Sequence, residues 1–134
     1  MIEIDTRKPV DSIDITAHVA KALLESGVQS GICLVYTLHT TTGLTVNEAD
    51  AALMIDILNF LENIAPEGAN YRHDHGEGNA HAHLRAVLLG NSVIIPVGQN
   101  RLAMGAWQRI LFIELDGPRR RRISVKVVPD HDQN

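Results

Sequence analysis

"SVIIPVGQNRLAMGAWQRILFIELDGPRRRRISVKVV", residues 92–128, is the stretch on which the fold turns. It divides into the runs "SVIIPV", "RLAMGAWQ", "ILFIELD" and "RRISVKVV", each apolar or alternating and each set off by Gly, Asn or Pro, the pattern of strands joined by short connections. It predicts an antiparallel meander over the C-terminal third. Upstream, "DITAHVAKALLESGV" carries Ile15, Val19, Ala22 and Leu23 at helical spacing, with Asp14 placed to cap and Gly27 to stop a helix near 15–26. "GICLVYTLH" then reads as a strand buried on both faces that ends on His39. "ADAALMIDILNFLENIAP" sets Met54, Ile57, Leu58, Leu61 and Ile64 along one helix face, closed by Pro66. "AHAHLRAVLLG" predicts a further helix over 80–89, capped by Asn79, stopped by Gly90, with Leu84, Val87 and Leu88 inward. Helices interspersed with strands, without regular alternation, give an α+β class: one domain, 1–134, with a mostly antiparallel or barrel-like sheet and about three helices.

Composition narrows the function. Hydrophobic residues at 45% and charged residues at 21% are those of a folded globular chain. A formal charge of −4 argues against a general nucleic-acid binder, which needs a basic face to displace counterions. Arg119 to Arg122, on a strand, would divide between two faces and form no phosphate track. Cys33 stands alone, no export leader precedes the first helix, and "VLLGNSVIIPV" falls short of the roughly 20 apolar residues of a membrane helix. The expectation is a cytoplasmic protein without a membrane span.

Four of the seven histidines crowd into "YRHDHGEGNAHAH", residues 71–83. Solvated polar residues in a Gly-rich connection would look the same. His39, however, ends a strand and precedes "TTTG", where the hydroxyls and amides of Thr40 and Thr41 can hold an anion. Three neutral imidazoles with an open position form the usual catalytic zinc arrangement, and His39, one or both of His73 and His75, and His83 could supply them. On a helix, positions 81 and 83 diverge by about 200°, so one alone faces that site. His83 is the preferred ligand. On "ILFIELD", Glu114 and Asp116 share a face with Ile110 and Phe112, and a solvent-exposed strand end paired with Arg119 or Arg120 would account for them equally well. Asn47 and Glu48, just before the long helix, also suit helix capping.

"HTTTGLTVNE", "YRHDHGEGNAHAHLRAVLLGNSVIIPV" and "RLAMGAWQRILFIELDGPR", in that order, resemble the YjbQ-like proteins, also called the secondary thiamine-phosphate synthase family. Asn100, where that family's turn usually carries Gly, departs from the pattern. The resemblance implies a small α+β fold, a compact homotrimer and a pocket built around His39, Asn47, Glu48, His73, Asp74, His83, Trp107, Gln108 and Glu114. It also implies a weak synthase activity, in which a thiazole-phosphate nitrogen attacks a pyrimidine methylene and expels pyrophosphate.

The expectation is therefore a transferase acting on a small phosphorylated substrate. Asn47, Glu48, Asp74 and Glu114 would be catalytic; Thr40, Thr41, Trp107, Gln108 and Arg119 would bind substrate; His39, His73 and His83 would hold a divalent transition metal, zinc first. Two other readings stay open: a transition-metal hydrolase with Glu48 or Glu114 as general base, and a trimeric metal- or ligand-binding protein without turnover.

Overall fold

The computed structural model describes residues 1–131. In chain order the elements are β1 (Ile2–Asp5), β2 (Asp11–Asp14), α1 (Thr16–Ser26), β3 (Gly31–Thr37), β4 (Thr42–Asn47), α2 (Ala51–Ile64), a 3-10 turn (Arg72–His75), α3 (Ala80–Leu89), β5 (Ser92–Gly98), β6 (Arg101–Leu102), β7 (Arg109–Glu114) and β8 (Arg120–Pro129). The strands form two antiparallel sheets, β1-β8-β3-β5-β6 and β2-β7-β4, so the α+β class, the antiparallel sheet and the three α-helices are as the sequence predicts.

The meander is not. Among the described residues only β5 and β6 pair as sequence neighbours; β7 runs between β2 and β4, and β8 between β1 and β3. β7 explains why. Its alternate residues serve two cores: Ile110 and Phe112 face the layer between the sheets with Val35, Leu44 and α1, whereas Leu111 and Ile113 meet Leu61 of α2 and Ala82 of α3. A strand buried on both sides must lie inside a sheet, and its partners come from the N-terminal half. β3, by contrast, is not buried on both faces: Cys33, Val35 and Thr37 are covered while Ile32 and Tyr36 are exposed. Among the described residues no helix is long and apolar enough to cross a membrane.

The helices mix expectation and surprise. α1 starts where Asp14 Oδ1 accepts from the Thr16 amide at 3.0 Å, and Gly27 ends it in the left-handed region at φ 70°. On α2, Asp50 caps through the Leu53 amide at 2.9 Å; Leu61 is buried and Ile57 and Leu58 pack on the same core, but Ile64 is exposed. On α3 the expected inward residues Leu84, Val87 and Leu88 are exposed, and Ala82, Ala86 and Leu89 pack inward instead. Leu89 fits there because β4 carries a glycine beneath it: a Cβ on Gly43 would stand 2.5 Å from Leu89 Cβ. With Ala82, Ala86 and Leu89 set inward at helical spacing, Leu84, Val87 and Leu88 fall outside that face.

Candidate functional site

The site begins where β3 runs out. Beyond Thr37, the Leu38 amide still donates to Arg122 O at 3.3 Å, but the returning Arg122 N–H goes to the ring of His39, 2.8 Å from Nε2. A neutral imidazole has one acceptor nitrogen and one N–H. With Nε2 accepting, the proton sits on Nδ1. Burial lowers the pKa of His39, and the nearby positive charge of Arg121, helped by Arg122 and Arg119, outweighs Glu114 and pushes in the same direction. His39 is thus held as a neutral N–H donor.

His39 lines a chamber of about 340 Å³ together with Thr40, Thr41, His83, Arg119 and Arg121, and a neighbouring one of about 420 Å³ that reaches Val87. His83 enters from the first turn of α3, and His73, on the 3-10 turn, packs edge-on against it with ring centroids 4.9 Å apart. His81 lines a different chamber with Leu58 and Leu115. The two α3 histidines therefore face separate spaces. His75, on the same turn as His73, borders a shallow space with Asn70 and Tyr71.

Asn79 sits at the N-cap position of α3 but does not cap with its side chain. Asp74 does: its Oδ1 accepts from the Ala80 amide at 2.9 Å. The carboxylate expected to be catalytic instead anchors the helix that carries His83. Asn79 Nδ2 turns to Asp116 Oδ2 at 3.0 Å and to Glu77 Oε2 at 3.4 Å.

Glu114, expected to be catalytic, is 0% exposed and fully engaged. Oε1 accepts from Arg121 Nε and from Thr6 Oγ1, each at 2.7 Å; Oε2 accepts from the Leu115 and Asp116 amides at 3.0 and 3.1 Å and pairs with Arg121 Nη2. Burial raises its pKa, yet the bonds from Arg121, Thr6 and the Asp116 amide prevail and hold it below the usual carboxylate range. Without a free lone pair it is no general base, and its partner is neither Arg119 nor Arg120 but Arg121. That guanidinium also reaches Thr41 Oγ1 at 2.9 Å and so fixes the turn after His39. Along β8 the arginines alternate as expected: Arg120 pairs outward with Glu3, Arg121 is buried, and Arg119, before the strand, bridges to Asp116 at 3.0 Å. The Arg121–Glu114 pair went unread in the sequence: alternation along Arg119–Arg122 separates two faces but does not say which of them is buried.

Four expected residues lie elsewhere on the chain. Asn47 ends β4 opposite Arg109, five residues from Thr42 and hence about 17 Å from the His39 end of that strand. Its Oδ1 accepts from the exposed Glu48 amide at 2.8 Å. Trp107, 76% exposed, stands between β6 and β7, and Gln108 Oε1 accepts from the Gly105 amide at 2.8 Å. Within one chain these residues do not meet the histidines.

The proposed metal sphere is not assembled. Among the described residues no group of three or more His, Cys, Asp or Glu is placed to hold a metal ion, and the acceptor nitrogen of His39 is already taken by Arg122. As arranged, His39, His73 and His83 do not fit a three-imidazole centre.

Known proteins place the chain. The model of the family described as "UPF0047 protein YjbQ-like" matches residues 1–130. A UPF0047 protein of Archaeoglobus fulgidus is 51% identical over 95% of this chain and 98% of its own length, and YugU of Bacillus subtilis is 39% identical over 95% and 96%. Among solved structures, a YbjQ-like protein of unknown function from Sulfolobus solfataricus superposes with a TM-score of 0.94 at 36% identity, over 96% of this chain and 94% of that one. A hypothetical protein of Aeropyrum pernix gives 0.93 at 38% identity, over 96% of both. The chain belongs to the UPF0047 YjbQ-like family.

Proposed function

We propose that the His39 chamber binds a small phosphorylated molecule and that the chain is a cytoplasmic transferase of the thiamine-phosphate synthase type. The observation that carries this reading is the bond from the Arg122 amide to His39 Nε2, which leaves Nδ1–H to donate to an anionic oxygen. Thr40 and Arg119 line the same chamber and add a hydroxyl and a guanidinium. In the transfer, the thiazole nitrogen's lone pair forms the new C–N bond at the pyrimidine methylene. The C–O bond to pyrophosphate breaks, and its electron pair leaves with the pyrophosphate. No proton moves in that step, so a neutral donor is enough; its task is to stabilise the oxygens that gain charge.

Arg119 and Arg121 are both matched by carboxylates, Asp116 and Glu114, so the chamber is not strongly basic and affinity for the anion should be weak and salt-sensitive. Self-association as a homotrimer is part of the proposal. It is supported by large apolar side chains left exposed on α2 and α3, among them Ile55, Phe60, Leu84 and Val87.

The test is calorimetric titration of the protein with pyrophosphate, paired with an assay supplying the pyrimidine pyrophosphate and the thiazole phosphate. Saturable binding lost in His39→Ala, with thiamine phosphate formed, supports the reading. Phosphate release that depends on an added transition metal, without C–N bond formation, would replace it with the hydrolase.

A further inference from the structure

The chamber that His81 lines, about 420 Å³, lies on the far side of a wall it shares with the His39 chamber, built of Glu77, Asn79 and Asp116. Its lining is acidic: Glu62 and Glu67 join Glu77 and Asp116, and Arg85 is the single cation among the described lining residues. Arg85 is largely committed, buried with its Nε donating to Ala65 O at 3.0 Å. Arg119 approaches from the other side of the wall, 3.0 Å from Asp116 and 3.9 Å from Glu77, and its single charge offsets one of those two. Four carboxylates, Glu62, Glu67, Glu77 and Asp116, against the charges of Arg85 and Arg119 leave this space with an excess of negative charge.

Two buried polar atoms on this lining lack a partner. Asn79 is 7% exposed, and because its Nδ2 is held by Asp116 and Glu77, its Oδ1 is fixed as the atom that accepts; it has no donor. His81 Nδ1 is likewise buried and unbonded. Buried polar atoms are as a rule paired, so two without a partner on the lining of one chamber call for a ligand that pairs them. A carbonyl oxygen among carboxylates, beside a ring nitrogen that accepts when the proton is on Nε2, suits N–H donors carried on a positive charge.

We propose that this chamber binds a small amine or amidine cation. One N–H donates to Asn79 Oδ1, a second engages His81 Nδ1, and the charge is balanced by Glu62 and Glu67. A bare metal ion suits the lining less well: no group of three or more His, Cys, Asp or Glu side chains is placed to hold one among the described residues. The inference does not depend on what the His39 chamber does.

The experiment is a 1H–15N NMR titration of the full chain with benzamidinium, with benzoate as the anion of the same shape, and with magnesium and zinc ions alone. The reporters are the amides of Val10, His81 and Leu115, which line this chamber and not its neighbour. Benzamidinium should shift them saturably and benzoate should not. Glu62→Gln with Glu67→Gln, both on exposed side chains, should weaken binding several-fold and remove most of its salt dependence. His81→Ala should weaken it about tenfold. No saturable shift with benzamidinium, equal binding of benzoate, or a response to metal ions alone would overturn the proposal. The carboxamide variants keep the test decisive if His81→Ala does not fold. Pyrophosphate binding, read at Leu38 and Thr40, can fail or succeed without altering this result.

Discussion

The ring of His39 stands in for a backbone carbonyl, accepting at Nε2 the N–H of Arg122 at 2.8 Å just past the last β3–β8 pair, Thr37 with Ile123. The side chain is thereby part of the sheet, and its tautomer follows from strand geometry. By 15N NMR, Nε2 should be the unprotonated nitrogen and Nδ1 the protonated one at neutral pH. Because burial and Arg121 lower the His39 pKa, the ring should stay neutral on acidification past the usual histidine range. The folded state binds this proton less readily than the unfolded one, so the contribution is full above the ordinary histidine value and is lost as pH falls through the lowered one. A ring that charges at the ordinary value, or an Nε2–H tautomer, contradicts this.

Glu114→Gln should cost about 3–5 kcal/mol, since it leaves Arg121 as a buried, uncompensated charge. Adding Arg121→Met should recover a good part of that loss. For the wild type, the sign follows from the lowered carboxyl pKa: the stabilisation is complete above glutamate's ordinary value and drains away as pH falls below it. Urea melts of the two variants and of the wild type over the acid range measure all three.

Gly43→Ala should destabilise by about 1–3 kcal/mol, because the new methyl would meet Leu89 Cβ, which cannot swing aside as a side-chain tip can. Relief requires moving α3, which carries His83. A drop in pyrophosphate affinity alongside the drop in melting temperature is expected; an unchanged melting temperature would contradict the close packing.

Chelation should leave pyrophosphate affinity unchanged, since His39 serves as an N–H donor with its acceptor nitrogen occupied. His83→Ala should weaken pyrophosphate binding and His81→Ala should not, because the two rings line different chambers. Loss of binding on chelation, restored by zinc, would return His39, His73 and His83 to the role of ligands.

Sedimentation should give three times the chain mass, and Phe60→Asp or Val87→Asp, each charging an exposed apolar position, should shift it downward without loss of helical signal. A monomeric wild type at micromolar concentration excludes the trimer.

What the sequence shows depends on how local the signal is. α1, α2 and α3 appear within a residue or two of their predicted spans because their periodicity lies within the segments themselves. β1 and β2, four residues each, carry too little pattern to be seen, and Thr42–Asn47 begins inside "TTTG", whose threonines are read for the anion they could hold rather than as a strand. The divergence of His81 and His83 follows from helix geometry alone. The saturation of Glu114 does not, since Thr6 and Arg121 lie 108 and 7 residues away along the chain and meet it only through the pairing of distant strands.

That pairing bears on how the molecule is made. β2 and β4 are not bonded to each other; each waits for β7, and β1 waits for β8. Residues 11–14 and 42–47 leave the ribosome long before residues 109–114, so during synthesis the smaller sheet exists only as two loose edges, with Leu44 and Ile13 uncovered. The inserted strand closes both cores at once, and with contacts this far apart in sequence, folding should be slow and nearly all-or-none. A chain halted before residue 109 should be captured by a chaperone, whereas one extended past residue 129 should release it.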